Sequence, residues 1–172
     1  RAVLVATDGS VWFTTNGAVS LCRIRDGRLQ TYVVPDAVRN IRALVQDAAG
    51  VIWIGSSDGR ILKVAGDVLV TEPALARAGS TSVRCLHATP DGSLWIGYAE
   101  RGVGLLKDGR YARLTVEQGR VDDSIWQIAS DSTGAIWLAG PQGLSKVELA
   151  DAASAVERRS PILRSILYGY EQ

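Results

Sequence analysis

The stretch Ala49-Gly-Val-Ile-Trp-Ile-Gly55 is written four times, with variations, along 172 residues. Its copies are Asp8-Gly-Ser-Val-Trp-Phe13, Asp91-Gly-Ser-Leu-Trp-Ile-Gly97 and Thr133-Gly-Ala-Ile-Trp-Leu-Ala-Gly140. Trp12, Trp53, Trp95 and Trp137 stand 41, 42 and 42 residues apart, each three residues after a glycine. A second glycine follows each Trp, at 17, 59, 102 and 143. Two anchors recurring at one period mark a single structural unit repeated four times.

Around Trp53 the unit resolves into short strands. Ile41 to Gln46 is an apolar-rich run, and Asp47-Ala-Ala-Gly50 is a turn. Val51 to Gly55 is the next strand, and Ser56-Ser-Asp-Gly59 a second turn. Ile61 to Val64 and Val68 to Thr71 flank a third turn at Gly66-Asp67. Strands this short, separated by Gly/Asp turns, indicate antiparallel β-structure. Four strands in about 40–45 residues is the size of a propeller blade. The expected fold is all-β: a propeller arc of four four-stranded antiparallel blades, bounded near 1–36, 37–79, 80–120 and 121–172, with the Trp strand second in each.

Alternation along the Trp strand supports this. One face carries Ile52 and Ile54, Leu94 and Ile96, or Ile136 and Leu138; the other carries the Trp and, two residues on, Gly55, Gly97 or Ala139. Apolar side chains on both faces require cover on both faces, as sheets stacked around an axis provide. A large ring beside a glycine leaves relief for the next blade to fill. These Trp residues are therefore read as core.

Two segments break the period. Pro73 to Ser82 is a longer connection. The Ala-rich Leu149 to Arg159 could form a short helix, with Asp151 as cap candidate. Ile162 to Tyr170 then reads as the outer strand of the last blade, or alternatively as the first strand of a fifth.

Composition narrows the function classes. Nineteen Lys and Arg face eighteen Asp and Glu, a formal charge of +1, which gives no case for nucleic acid or an anionic membrane as main partner. No apolar run approaches the ~20 residues that span a bilayer, and no signal peptide opens the chain. The lack of Met suggests an excised or processed segment. Cys22 and Cys85 fit neither a disulfide scaffold nor zinc spacing, and each reads as a small buried hydrophobe. No cofactor or metal is expected, because Asp122-Asp123 and Asp131 lack the alternating carboxylates of a calcium loop.

The recurring Val-Ile-Trp-Ile-Gly-Ser-Ser-Asp-Gly, Leu-Trp-Ile-Gly and Ile-Trp-Leu-Ala-Gly resemble the two-component regulator propeller repeat, over residues 2 to about 148. Phe13-Thr14 and Ala139 are small departures. The resemblance implies the sensor region of a bacterial hybrid two-component system or related regulator, several of which respond to glycans. It implies a periplasmic location, blades that usually close in sevens, and output domains elsewhere in the parent chain.

An enzyme is not expected. His87 is the single His, placed within an innermost strand as a core or channel-lining residue. A lyase resembling the streptogramin-cleaving propellers, which use a His as base, is the alternative. For binding, the position two before Leu44, Leu86 and Ile128 holds Arg42, Arg84 and Trp126, with Arg1 in register. These side chains would ring the central mouth, where Arg and Trp suit carboxylate or sugar contacts. Loops after the Trp strands should open on the same face, adding Asn16, Asp58, Tyr98, Glu100, Arg101 and Gln142. The expected partner is a glycan, another small ligand or a protein; a pure assembly scaffold is the alternative reading. Four blades also leave two apolar end faces. A homodimer closing an eight-bladed ring, a four-bladed ring, or further blades of the parent chain would each cover them.

Overall fold

The computed structural model describes residues 2–15, 20–36, 38–75, 81–116, 123–148, 162–163 and 165–169. It is all-β, with four sheets. The first contains β1 (Val3–Val5), β2 (Val11–Thr14), β3 (Ser20–Arg25) and β4 (Arg28–Val33). The second contains β5 (Ile41–Gln46), β6 (Ile52–Ser56), β7 (Ile61–Ala65) and β8 (Val68–Thr71). The third contains β9 (Val83–Ala88), β10 (Leu94–Tyr98), β11 (Val103–Lys107) and β12 (Arg110–Val116). The fourth contains β13 (Gln127–Ser130), β14 (Ala135–Gly140), β15 (Gly143–Glu148) and β17 (Ser165–Tyr168). Each is an antiparallel meander with its Trp on the second strand.

One pairing falls outside the meander. β16 (Ile162–Leu163) pairs in parallel with the end of β12, Thr115 opposite Ile162, before the chain reaches β17. The run expected as one outer strand therefore divides between two blades. Its second half is the outer strand of the last blade, as expected. Pro73–Leu75 forms a single 3₁₀ turn after β8. The helix expected over 149–159 lies outside the described residues.

Turn chemistry makes the meanders compact. At Asp26-Gly27 and Asp108-Gly109 both residues hold positive φ, the conformation whose twist matches the flanking strands.

The sheets stack as an arc. The innermost strands β1, β5, β9 and β13 neighbour one another in turn around an axis. Three apolar clusters fill the three joints. Trp12, Leu21 and Tyr32 of blade 1 pack on Ile52, Ile54 and Leu62 of blade 2. Trp53 and Ile61 of blade 2 pack on Leu94, Ile96 and Leu106 of blade 3. Trp95, Val103 and Leu105 of blade 3 pack on Ile136, Leu138 and Val147 of blade 4. At each of the three joints a Trp face thus meets the aliphatic face of the next blade, as alternation predicts. The small residues beside the Trp admit that neighbour. A Cβ on Gly55 would stand 2.5 Å from Val83 Cγ1, and one on Gly97 would meet Cys85 Sγ and Ile125.

The arc is open. Among the described residues no apolar cluster joins blade 4 to blade 1. Trp137 is accordingly only half-buried, whereas Trp12, Trp53 and Trp95 are buried.

Candidate functional site

The site is built at the end of the arc where the inner strands begin. β5 loses register between Ile41 and Ala43, and β9 loses register against β10 at the Gly97/Tyr98 step. The residues squeezed out are Arg42 and Arg84. Trp126 takes the same place in blade 4, with its backbone N–H donating to the Ala139 carbonyl at 2.8 Å. A bulge re-aims the side chain it extrudes, and all three are exposed, Trp126 at 53%. Neither arginine has an ion-pair partner among the described residues. The register of the repeat thus brings Arg42, Arg84 and Trp126 to one level of three neighbouring inner strands.

The loops after the Trp strands do open on this face. Ser57 N–H donates to the Asn40 carbonyl at 2.9 Å, and Ala99 N–H to the Ser82 carbonyl at 2.9 Å, tying each loop to the start of an inner strand. Glu100 and Arg101 are exposed there. Arg101 holds φ +111°, a region that favours glycine. Gln142 is exposed in the corresponding turn of blade 4. Asp58 is occupied as a turn staple. It accepts from Ser56 Oγ at 2.6 Å and Arg39 N–H at 3.2 Å, and pairs with Arg60 at 3.1 Å.

Tyr98 is a correction. It was expected in the loop, but β10 extends through it and the ring is fully buried. Its hydroxyl meets Tyr111 Oη at 3.0 Å, and the Arg113 guanidinium lies 5.1 Å from the ring. Burial, reinforced by Tyr111, pushes the phenol well above its usual range. It belongs to the core between blades 2 and 3. Asn16 and Arg1 lie outside the described residues.

His87 sits on β9 opposite Trp95, with Nε2 3.0 Å from Ser130 Oγ of the neighbouring inner strand. Burial lowers its pKa, which keeps the ring neutral. The Cys85 thiol is pushed up to about 12 by burial, so it is a poor nucleophile. Among the described residues no three His, Cys, Asp or Glu stand together as a metal site would need.

A pattern missed in the sequence lies beside the Trp residues. The third strand places a cation over the indole in three blades: Arg23 over Trp12 at 5.2 Å, Lys63 over Trp53 at 5.5 Å and Lys146 over Trp137 at 5.7 Å. Leu105 holds this place opposite Trp95. The spacing from each Trp to its cation was readable, but it acquires meaning only with the cross-strand register.

Comparison with known proteins agrees with this geometry. Residues 37–58, spanning β5, its turn and β6, match the family model of the two component regulator propeller. No curated protein sequence is a significant match. Similar solved structures include a catalytically inactive variant of virginiamycin B lyase from Staphylococcus aureus with quinupristin, at 16% identity and TM-score 0.73, covering 98% of this chain and 55% of that one. They also include the extracellular domain assigned to a hybrid two component system of B. thetaiotaomicron, at 16% identity and TM-score 0.71, covering 98% of this chain and 23% of that one. The extracellular domain assigned to a one component system of the same organism matches at 20% identity and TM-score 0.69, with 84% and 21% covered. The chain therefore spans about half of the lyase and under a quarter of the two extracellular domains. At these identities the likeness establishes the propeller fold.

Proposed function

From a chain that carries the two-component regulator propeller repeat, we propose that this segment senses a ligand at its central mouth and performs no chemistry of its own. The observation that carries the reading is the shared position of Arg42, Arg84 and Trp126. All three occupy the same register position of the repeat and are exposed. No described ion pair holds either arginine. Two guanidinium groups suit a carboxylate or sulfate, and an indole face suits a sugar ring. An acidic saccharide combines both features. The extracellular domains among the structural relatives support an extracytoplasmic setting, which the proposal takes to be the periplasm, where such a ligand would arrive.

A thermal-shift screen of neutral and uronate-bearing oligosaccharides tests this, followed by calorimetry on any that bind. The expected result is a rise in Tm with acidic sugars. That rise is lost in the Arg42→Ala/Arg84→Ala double variant and reduced in Trp126→Ala, with the ligand-free Tm unchanged. Binding that survives all three substitutions rejects the mouth as the site. A stable protein complex with no small-molecule shift would favour the scaffold reading instead.

A further inference from the structure

The turn between β10 and β11 carries a residue that its backbone conformation does not favour. Three non-glycine residues hold positive φ among the described residues. Asp26 and Asp108 do so at +48°, in Asp-Gly turns that suit a short polar side chain. Arg101 does so at +111°, where a long side chain gains nothing from the backbone. The register of the repeat shows what such a turn otherwise uses. Gly55 pairs with Ile61 and Gly97 with Val103, so the two hairpins span equal lengths of chain. Ser56 N–H donates to the Arg60 carbonyl at 3.0 Å, and Tyr98 N–H to the Gly102 carbonyl at 3.0 Å. Arg101 therefore stands where blade 2 has Gly59, at φ +87°, and Gly102 stands where blade 2 has Arg60. The turn of blade 4 also carries a glycine at positive φ, Gly143 at +130°.

Backbone hydrogen bonds hold this turn on both sides. Ala99 N–H donates to the Ser82 carbonyl at 2.9 Å, Gly102 N–H to the Asp123 carbonyl at 2.7 Å, and Ile125 N–H to the Tyr98 carbonyl at 2.9 Å. A disfavoured conformation persists where its surroundings over-determine it, and such positions cluster at ligand clamps. The last two bonds fasten the turn to the segment that leads directly into Trp126. Arg101 is thereby set beside the Trp126 end of the mouth. It is exposed, as is Glu100, and neither has an ion-pair partner among the described residues.

We infer that Arg101 is a specificity-determining residue of the mouth, selecting a saccharide whose Trp126-stacked sugar is itself acidic. A second acidic group of that ligand is held by Arg42 and Arg84. The inference rests on the ligand reading above and sharpens it, from an acidic saccharide to one with acidic groups on more than one sugar. Arg42 and Arg84 lie on the inner strands of blades 2 and 3, whereas Arg101 stands on the loop next to Trp126. One carboxylate is satisfied by one or two guanidinium groups. Three guanidinium groups spread along the arc call for at least two anionic groups, and a ligand with one leaves the strained Arg101 unused.

Calorimetry with tri-galacturonate, and with a trisaccharide bearing one terminal uronate, tests this on the chain and its Arg101→Gly and Arg101→Ala variants. Tri-galacturonate should bind the parent more tightly than the mono-acid does. Both substitutions should weaken tri-galacturonate by about tenfold or more, through loss of a charge-assisted hydrogen bond. They should weaken the mono-acid much less, since Arg42 and Arg84 remain. Ligand-free melting gives an independent readout. Arg101→Gly should melt above Arg101→Ala by roughly 2–4 °C, because both lose the side chain and only alanine keeps the strain. Tri-galacturonate binding that is unchanged in both variants, or weakened equally with the mono-acid, overturns the role of Arg101 and leaves the mouth reading standing. Equal melting of the two variants overturns the strain on which that role rests. A parent with no preference for tri-galacturonate overturns the second acidic group. A parent that binds neither saccharide overturns the mouth reading, and this inference with it.

Discussion

The indole N–H of Trp53 donates to Asp47 Oδ2 at 2.7 Å, while Asp47 Oδ1 accepts from the Ala49 and Val51 backbone N–H groups at 2.9 Å each. One carboxylate thus closes the turn and satisfies the core ring. Asp131 does the same for Trp137, at 2.8 Å. In blade 3 the corresponding residue is Thr89, and the buried Trp95 indole has no partner among the described residues. Asp47→Ala should lower unfolding free energy by roughly 1–3 kcal/mol, because it leaves a donor unpaired in the joint. Urea unfolding measures this, and an unchanged midpoint would contradict the role given to Asp47.

Gly97→Leu should destabilise by roughly 1–3 kcal/mol through overpacking against Cys85 and Ile125. Gly109→Ala meets no atom within 4 Å but holds φ +69°. Its cost of about 1 kcal/mol would come from the backbone alone. Comparing the two by thermal melts separates joint packing from turn strain. A Gly97→Leu protein melting with the parent would refute the stacking of blade 4 on blade 3.

Acid should act through Asp91. Burial works against its charge, but the Lys107 ammonium at 2.7 Å and the hydroxyls of Thr89 and Ser93 outweigh it, holding the pKa at about 2. A carboxylate lowered in the folded state contributes stability above its unfolded value of 3.8, and that contribution is lost as pH falls toward 2. Asp91→Asn should reduce the loss of stability between about pH 4 and pH 2, as read from denaturant midpoints at each pH, while Asp8 and Asp131, also held below the usual carboxylate range by hydrogen bonds, carry the remainder.

His87 gives the opposite end of the acid limb. Its folded pKa is lowered by burial from an ordinary 6.5, so the unfolded chain binds the extra proton first. Stability should therefore fall as pH drops below about 6.5. His87→Gln should remove that slope while keeping a partner for Ser130. A slope that persists in the variant would place the titrating group elsewhere.

The repeat made most of the fold legible. Trp and Gly at a 42-residue period identify the unit, and alternation assigns the buried faces before any contact is known. The shared position of Arg42, Arg84 and Trp126 was legible too, because each stands two residues before the same core position of its inner strand. Tyr98 was misplaced because the strand end is set by a bulge at Gly97/Tyr98, a backbone event with no compositional mark. The closing Ile162–Tyr170 run reads as a single strand, since the parallel pairing of Ile162–Leu163 with β12 depends on how two blades lie side by side. Sequence period fixes what a blade is; the angle between blades, which decides whether a ring closes, is set by packing volumes across each joint.

The short parallel pairing of Ile162–Leu163 with β12 acts as a strap. The chain leaves the rim of the third sheet and passes within two residues to the rim of the fourth. The last blade is thus fastened at the hub, where β13 neighbours β9, and again at the circumference. Loosening it requires giving up both attachments together, so blades 3 and 4 should exchange their amide hydrogens as one cooperative unit.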